Sequence, residues 1–133
     1  KRSMKEHGLQ VDNTFIFKDT VTMEEGYERG KRLLSASPRP SAVICYSDFV
    51  AIGVIKAARD AGLKIPRDLA VVGYDDIYFS PHLEVPLTTV RIPKKNLGRR
   101  AFQVLKSIID KEGSFSELQQ VKLGTELVIR QTT

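Results

Sequence analysis

The chain has 133 residues, enough for one domain, and its 41% hydrophobic and 28% charged residues are ordinary values for a globular protein. The net charge of +5 would suit an acidic partner. The basic residues are nevertheless spread along the chain, apart from a modest cluster at Lys94, Lys95, Arg99 and Arg100. The sequence has no zinc-finger spacing, RNA-binding signature or helix-turn-helix. We therefore expect no direct DNA contact, and the lack of a long apolar run, of a signal peptide and of paired cysteines favours a cytoplasmic protein without a membrane span.

The first elements are helical, with one short strand between them. The opening KRSMKEHG is typical of the last turns of a helix that Gly8 terminates, so we expect the chain to be part of a longer protein. The run TFIF at 14–17 predicts a strand. From Thr22 to about Ser37, small and apolar residues recur at helical spacing, and Thr22 with Glu25 predicts a capping box.

Two apolar runs then predict strands separated by a helix. AVICY at 42–46 predicts a buried strand, and LAVVGY at 69–74 predicts a second one. Between them, either Ser47 or Asp48 caps a helix that Gly62 ends.

The last third continues the alternation after a long connection at 75–89. TTVRI at 88–92 is extended, and Pro93 suits the first turn of a helix. That helix carries an apolar stripe and runs to about Lys111; the stripe consists of Leu97, Ala101, Val104, Leu105, Ile108 and Ile109. A final strand lies within 121–130. The alternation of helices and apolar strands predicts an α/β fold with an open, mainly parallel sheet flanked by helices.

Polar and acidic side chains follow two of the predicted strands. Ser47 and Asp48 come after the first apolar run, and Asp75 and Asp76 come after the second. In open α/β sheets, ligands bind outside the carboxyl ends of the strands. Carboxylates at that edge are strong hydrogen-bond acceptors, so the pattern favours a neutral ligand with several hydroxyl or N–H groups, such as a sugar or a nucleobase.

Each of these four residues also has a structural interpretation. Asp48 starts a helix, which favours a capping role over ligand contact. Ser47 suits a cap and a ligand contact equally. Asp75 opens no obvious helix, which favours ligand contact, whereas Asp76 is favoured as a residue that shapes the loop.

The sequence has few patterns that are typical of catalytic or metal-binding sites. There is no nucleophile elbow or phosphate-binding loop, and His7 and His82, which we expect to be exposed, have no metal-ligand partner at helical spacing. Cys45 lies in an apolar run and is interpreted as a core residue. Asp48 could in principle be a phosphoacceptor, but the other acidic and lysine residues of a receiver domain have no counterpart. We expect no enzyme activity, cofactor or metal site.

Three segments carry a family resemblance. The run PSAVICYSDFVAIGVIKAARDAGLKIPRDLAVVGYDD at 40–76, then PLTTVRIPKKNLGRRA at 86–101 and ELVIR at 126–130, resembles the effector-binding domain of the LacI/GalR transcriptional regulators. The resemblance covers nearly the whole chain. It implies a type I periplasmic-binding-protein-like fold, in which two α/β lobes hold a ligand between them.

The resemblance also implies a division of the chain. Residues 1–88 and about 119–133 would build the carboxyl-terminal lobe, and about 89–118 would form a crossover and one helix of the amino-terminal lobe. The chain would be roughly the second half of the effector domain, without the DNA-binding headpiece. The apolar stripe of that helix would then lack its partner strands within this chain.

Site residues follow from the resemblance position by position. Asp75 resembles the aspartate that contacts the effector in several relatives, and Asp48 is the strand-end aspartate of the same site. Ser47 falls where relatives often have asparagine, Val21 where an aromatic ring often stacks on the effector, and Ile92 where some relatives have a polar side chain. These departures leave the effector unidentified.

The resemblance further implies a homodimer that forms through the carboxyl-terminal lobe. The residues that fall on that surface are Ile52, Ile55, Lys56, Pro81, His82 and Leu83. The many apolar residues of the 77–87 loop agree with an interface, although folding back onto the core explains them equally well.

The function implied is regulatory. A small-molecule effector would bind between the lobes and control the binding of operator DNA by a headpiece. The main alternative is the substrate-binding protein of a sugar transporter, which shares the fold. A second alternative is an enzyme that uses Asp48 or Asp75 and would need a metal ion.

Overall fold

The computed structural model describes residues 2–110 and 120–133. These residues contain four helices, four strands and two short 3-10 turns at Asn13–Phe15 and Ser80–His82, joined by loops. In chain order, the elements are α1 (Arg2–Glu6), α2 (Met23–Leu34), β1 (Ala42–Ile44), α3 (Asp48–Asp60), β2 (Ala70–Asp75), β3 (Thr88–Arg91), α4 (Lys94–Asp110) and β4 (Glu126–Val128).

The strands form one open mixed sheet in the order β1-β2-β3-β4. β1 pairs with β2 in parallel, with Val43 opposite Val71, and β2 pairs with β3 in parallel, with Gly73 opposite Thr89. β4 returns antiparallel to β3. The predicted α/β class with mainly parallel pairing is confirmed.

Helices α2 and α3 pack with their backbones in close approach. A Cβ atom on Gly26 would collide with the Val50 carbonyl, and one on Gly53 would collide with the Met23 carbonyl. The contact therefore brings the first turns of both helices together at the same side of the molecule. The predicted capping box is confirmed: the Glu25 N–H donates to the Thr22 hydroxyl at 3.1 Å, and the Glu25 carboxylate accepts from the Thr22 N–H at 2.9 Å.

The core lies between α3 and the sheet. It joins Val50, Ala51, Val54 and Ala58 of the helix to residues of the strands and their flanks, namely Cys45, Leu69, Val71 and Leu87. Cys45 is 6% exposed, and burial together with the neighbouring Asp48 charge raises the pKa of its thiol to about 12. The interpretation of Cys45 as a core residue is confirmed.

Two strand predictions need correction. The segment TFIF does not form a strand, because the Asp12 carboxylate accepts hydrogen bonds from the Thr14 N–H at 2.8 Å and the Thr14 hydroxyl at 2.7 Å and so starts the 3-10 turn Asn13–Phe15. The run 42–46 does form β1, but the prediction that it is buried is wrong, since Ile44 is 84% exposed. β1 is an edge strand, so one of its sides has no neighbouring strand within the described residues.

Helix α4 forms as predicted, and its apolar stripe is largely exposed. None of its residues is buried, and Leu97, Leu105 and Ile109 are each more than half exposed. All of the stripe except Ile109 lines a groove of about 420 Å³, together with Arg100, Val121 and Leu123. The predicted helix end at Lys111 and the crossover boundary near 118 and 119 lie outside the described residues. The assignment of lobes stays a prediction.

The ends of two other helices agree with the sequence. Gly8 follows α1 and Gly62 follows α3, and both have the positive φ of residues that terminate helices, at 71° and 73°. His7 and His82 are both exposed, as expected. Among residues 2–110 and 120–133, no helix is long and apolar enough to cross a membrane.

Candidate ligand-binding edge of the sheet

Three parallel strands end at one edge of the sheet, and the predicted site residues lie there. Ser47 and Asp48 follow β1, Asp75 ends β2, and Ile92 follows β3. The strand register places Asp75 directly opposite Arg91, so the ends of β2 and β3 are level. The tertiary structure therefore brings together residues that lie up to 45 positions apart.

Asp48 is fully buried at this edge. One carboxylate oxygen accepts a hydrogen bond from the Thr89 hydroxyl at 2.5 Å. The other oxygen accepts from the Ser80 hydroxyl at 2.5 Å and from the Ile77 N–H at 2.9 Å. A Cβ atom at position 73 would collide with this carboxylate, so Gly73 makes the room for it. Asp48 thus joins α3, β3 and the loop after β2, and it presents no exposed atom to a ligand.

Ser47, and not Asp48, caps α3. Its hydroxyl accepts a hydrogen bond from the Val50 N–H at 3.3 Å, and its backbone is extended, as at most N-caps. The favoured interpretation of Asp48 as the cap is therefore wrong, because its carboxylate is directed into the interior contacts instead. Ser47 is 7% exposed.

Asp75 has the properties of a free acceptor. It is partly exposed, and its carboxylate makes no hydrogen bond to any residue that the structure describes. Burial and the nearby Asp48 charge raise the pKa of Asp75, and the Lys94 ammonium opposes that rise. The backbone φ of Asp75 is 112°, a conformation that costs a residue with a Cβ atom about 1–3 kcal/mol and that recurs at ligand sites.

Asp76 forms an ion-pair network that the sequence did not indicate. Its carboxylate accepts from Arg91 Nε and from Arg130 Nη2, each at 2.6 Å, and its side chain is only 10% exposed. Burial acts to raise the pKa of Asp76, but the hydrogen bonds from Arg130 and Arg91 outweigh it and lower the pKa. Arg91 also pairs with Glu126 at 3.1 Å. The pairing of β3 with β4, which places Arg91 opposite Glu126, is visible only in the structure.

Lys94, which the sequence presents only as part of a basic cluster, belongs to the same edge. Its ammonium donates to the backbone carbonyl oxygen of Asp75 at 2.6 Å and to that of Asp76 at 3.2 Å. Lys94 is the first residue of α4, so this contact joins the start of α4 to the end of β2. No periodicity or motif in the sequence pointed to it.

Val21 and Ile92 occupy the flanks of this edge. Val21 precedes α2, is 59% exposed, and donates its N–H to the Glu25 carboxylate at 2.8 Å. Because the first turns of α2 and α3 pack together, Val21 lies on the side where α3 begins. Ile92 is partly buried, and its carbonyl accepts from the Lys94 N–H at 2.8 Å. Both offer apolar side chains.

The residues predicted for a dimer surface divide into two groups. Ile55 and Leu83 pack partly against the core, and Ile52 is partly buried. Lys56, Pro81 and His82 are exposed, and Lys56 bonds to Asp60 at 2.5 Å.

The 77–87 loop divides in the same way. Leu87 is fully buried in the core, whereas Tyr78 and Phe79 are 78% and 59% exposed. The Tyr78 ring lies 5.5 Å from the Phe79 ring and 5.3 Å from the His82 ring. Folding back onto the core therefore explains Leu87, and the interface interpretation of the exposed part of the loop stays a prediction.

Within the two described ranges, no three histidine, cysteine or acidic residues are grouped in a way that could hold a metal ion. The chemistry of the edge is that of hydrogen bonding: the Asp75 carboxylate, which has no hydrogen-bond partner among the described residues, and fixed backbone groups lie beside two apolar side chains. Ligands bind at this edge in open α/β sheets, so these groups form a candidate ligand site.

Comparison with known proteins identifies the family. The family described as periplasmic binding protein-like domain matches residues 1–133. The chain belongs to this family, and its resemblance to LacI/GalR regulators is confirmed by the relatives that follow.

The relatives are transcriptional regulators. The HTH-type transcriptional repressor PurR of Haemophilus influenzae is 33% identical over 133 residues, which are 99% of this chain and 40% of that protein. A LacI family transcriptional regulator from Lactobacillus casei with bound sucrose is 38% identical, with a TM-score of 0.82 over 98% of this chain and 47% of that one. The complex of the transcriptional regulator CelR with cellobiose is 29% identical, with a TM-score of 0.88 over 99% of this chain and 40% of that one. The chain thus spans about two fifths of the curated relatives it matches.

Proposed function

We propose that this chain is the ligand-sensing and dimerisation part of a LacI-type transcriptional regulator that acts in the cytoplasm. Its effector is a small neutral metabolite, a sugar or a nucleobase-like compound, bound at the carboxyl edge of the sheet. The relatives named above are transcriptional regulators, two of them in complex with sugars, which supports regulation over catalysis. The alternative of a sugar transporter is not favoured by them.

The observation that carries the proposal is the state of the Asp75 carboxylate. It sits at the end of a central strand, partly exposed, in a disfavoured backbone conformation, and makes no hydrogen bond to the described residues. A carboxylate accepts up to four hydrogen bonds, so Asp75 suits vicinal hydroxyls or a pair of N–H groups. We assign it as the main effector contact.

The other residues of the edge take supporting roles in this proposal. Ser47, whose hydroxyl caps α3, lies at the same edge, and Val21 and Ile92 provide apolar walls. Asp48 contributes from within, since its buried carboxylate holds Thr89 and Ser80 and so fixes the strand ends. Its effect on the ligand is therefore indirect.

The regulatory step follows from differential binding. A ligand held between two lobes stabilises the lobe orientation that it contacts on both sides, and it can shift the equilibrium only by its differential affinity for the two states. In a homodimer, that shift changes the spacing of two DNA-binding headpieces on operator DNA. The chain itself needs no cofactor or metal for this step.

Calorimetry on full-length protein tests the site. Sucrose and cellobiose serve as probes, because related structures contain them. Asp75→Asn keeps the shape and removes the charge, and we expect it to weaken binding of the sugar that binds by at least tenfold, in line with the loss of charge-assisted hydrogen bonds. Asp110→Asn, which alters an exposed aspartate at the far end of α4, is the control. Equal affinities in the two variants would refute the assignment of Asp75.

Dimerisation is proposed through a surface that combines exposed and partly packed residues, namely Ile52, Ile55, Lys56, Pro81, His82 and Leu83. The exposed aromatic pair Tyr78 and Phe79 next to it supports this, because aromatic side chains are enriched in protein interfaces. His82→Glu together with Lys56→Glu should shift full-length protein toward monomer in sedimentation experiments, whereas Arg67→Glu should not. A dimer of unchanged stability in the double variant would place the interface elsewhere.

A further inference from the structure

Two consecutive residues at the end of β2 have left-handed backbone conformations. The φ angles of Asp75 and Asp76 are 112° and 47°, values that residues with a Cβ atom rarely adopt. Such a turn persists only where its surroundings hold it. Thr89 accepts the Asp76 N–H at 3.4 Å, and Arg91 and Arg130 each hold the Asp76 carboxylate at 2.6 Å. These side-chain contacts are all to the second residue of the turn.

Lys94 supplies the contact to the first residue. Its ammonium donates to the Asp75 carbonyl oxygen at 2.6 Å and spans to the Asp76 carbonyl oxygen at 3.2 Å. Hydrogen bonds from an ionised donor are shorter and stronger than neutral ones. One ammonium therefore joins both carbonyl groups of the strained turn.

The same ammonium acts on the Asp75 side chain through its charge. Burial and the Asp48 carboxylate raise the pKa of Asp75, and Lys94 is the cation that opposes them. The backbone contact and the charge effect come from independent atoms of Asp75, the carbonyl and the carboxyl group. Both place Lys94 against the residue proposed to bind the effector.

We propose that Lys94 is a positioning residue, which fixes the left-handed Asp75–Asp76 turn and thereby the direction in which the Asp75 carboxylate meets a ligand. The ligand role of Asp75 rests on the proposed function, whereas the fixing of the turn does not. Because Lys94 begins α4, the proposal also makes the position of that helix part of the geometry of the site.

The experiment compares Lys94→Met, Lys94→Arg and the control Lys95→Met, whose side chain is exposed and makes no hydrogen bond to the described residues. Backbone amide resonances of Asp75, Asp76 and Ile77 and the carboxyl titration of Asp75 are recorded by NMR without ligand. In Lys94→Met, the amides should shift and Asp75 should titrate at higher pH, because the stabilising cation is gone. Lys94→Arg should restore much of both signals.

Ligand binding gives the second readout. With sucrose or cellobiose as the probe, Lys94→Met should weaken binding by about tenfold, because the Asp75 carboxylate is no longer held in the direction that meets the ligand, and Lys95→Met should not. If Lys94→Met does not fold, Lys94→Gln is measured in its place. Amide shifts and an Asp75 titration that match those of Lys95→Met would overturn the proposal. Unchanged sugar affinity in Asp75→Asn, with the NMR changes present in Lys94→Met, would instead refute the proposed function and leave the positioning role standing.

Discussion

Asp48 and Thr89 lie 41 positions apart in the chain, and the Thr89 hydroxyl donates to the Asp48 carboxylate at 2.5 Å in the fully buried space beneath the strand ends. With Ser80 and the Ile77 N–H, the same carboxylate ties a helix, a strand and a loop to one point. A buried charge is tolerated where its hydrogen-bonding capacity is filled. This arrangement is what holds the edge on which the proposed ligand site is built.

Replacing Asp48 by alanine should therefore destabilise the fold strongly. The change leaves buried donors without an acceptor, and we expect a loss of about 3 kcal/mol in the free energy of unfolding. Urea denaturation followed by circular dichroism measures it. Asp110→Ala, at an exposed position, should change the same quantity by less than about 0.5 kcal/mol. A small effect for Asp48→Ala would mean that water or a relaxed loop replaces the lost acceptor.

The Asp76 network should contribute stability that depends on pH. Its pKa in the folded state lies below the ordinary value of 3.8, so its contribution is present above that pH and is lost as pH falls through the lower folded value. The difference in unfolding free energy between the wild-type protein and Asp76→Asn should thus be constant near neutrality and shrink below about pH 4. Urea titrations across the acid range check this. A difference that grows on acidification would contradict the lowered pKa.

The two arginines of that network should contribute unequally to the free energy of unfolding. Arg130 is 14% exposed and also donates to the Leu87 carbonyl at 2.7 Å, whereas Arg91 is 47% exposed. Exposed ion pairs contribute little, and buried ones are costly to break. We expect Arg130→Gln to cost about 2–4 kcal/mol of unfolding free energy and Arg91→Gln to cost clearly less. Equal losses would show that burial does not decide the contribution of each pair.

Gly73 and Gly98 should respond in opposite directions to alanine. A Cβ atom at Gly73 would collide with the Asp48 carboxylate and approach Leu87, so Gly73→Ala should destabilise by about 2 kcal/mol. Gly98 lies within α4 with nothing within 4 Å of a Cβ atom, so Gly98→Ala should stabilise by up to about 1 kcal/mol through helix propensity. Thermal unfolding of the two variants beside wild type provides the comparison.

Cys45 should be inert in the folded protein. Because its pKa is about 12, almost none of the thiol is ionised near neutral pH, and because it is only 6% exposed, a reagent has little access to it. Because it is the chain's single cysteine, labelling by a disulfide reagent reports on it alone. The labelling rate in native buffer should follow the unfolding equilibrium and rise steeply with urea. Rapid labelling without denaturant would place the thiol at the surface.

The sequence predicted most elements and the edge at which the candidate site lies. The capping residue Thr22 and the terminating Gly62 act within one turn of chain, so their local pattern suffices to place the start of α2 and the end of α3, whereas the cap of α3 was favoured at Asp48 and is Ser47. The prediction for 14–17 was wrong because one aspartate side chain supplied a local turn that competes with a strand. The effector and dimer residues stay predictions, since Asp75 and His82 are located by the structure but their partners are not part of it.

What the sequence by itself determined is the order of helices and strands and the family motifs, because these depend on periodicity and on contacts between near neighbours. The tertiary structure alone decided the state of each acid at the strand ends: Asp48 fully buried among donors, Asp76 between two arginines, and Asp75 without a hydrogen bond to the described residues. Nothing in the sequence distinguishes the pKa values of the adjacent residues Asp75 and Asp76. Their pKa values shift in opposite directions because burial and charge are set by groups that come from β3, from α4 and from the residues after β4.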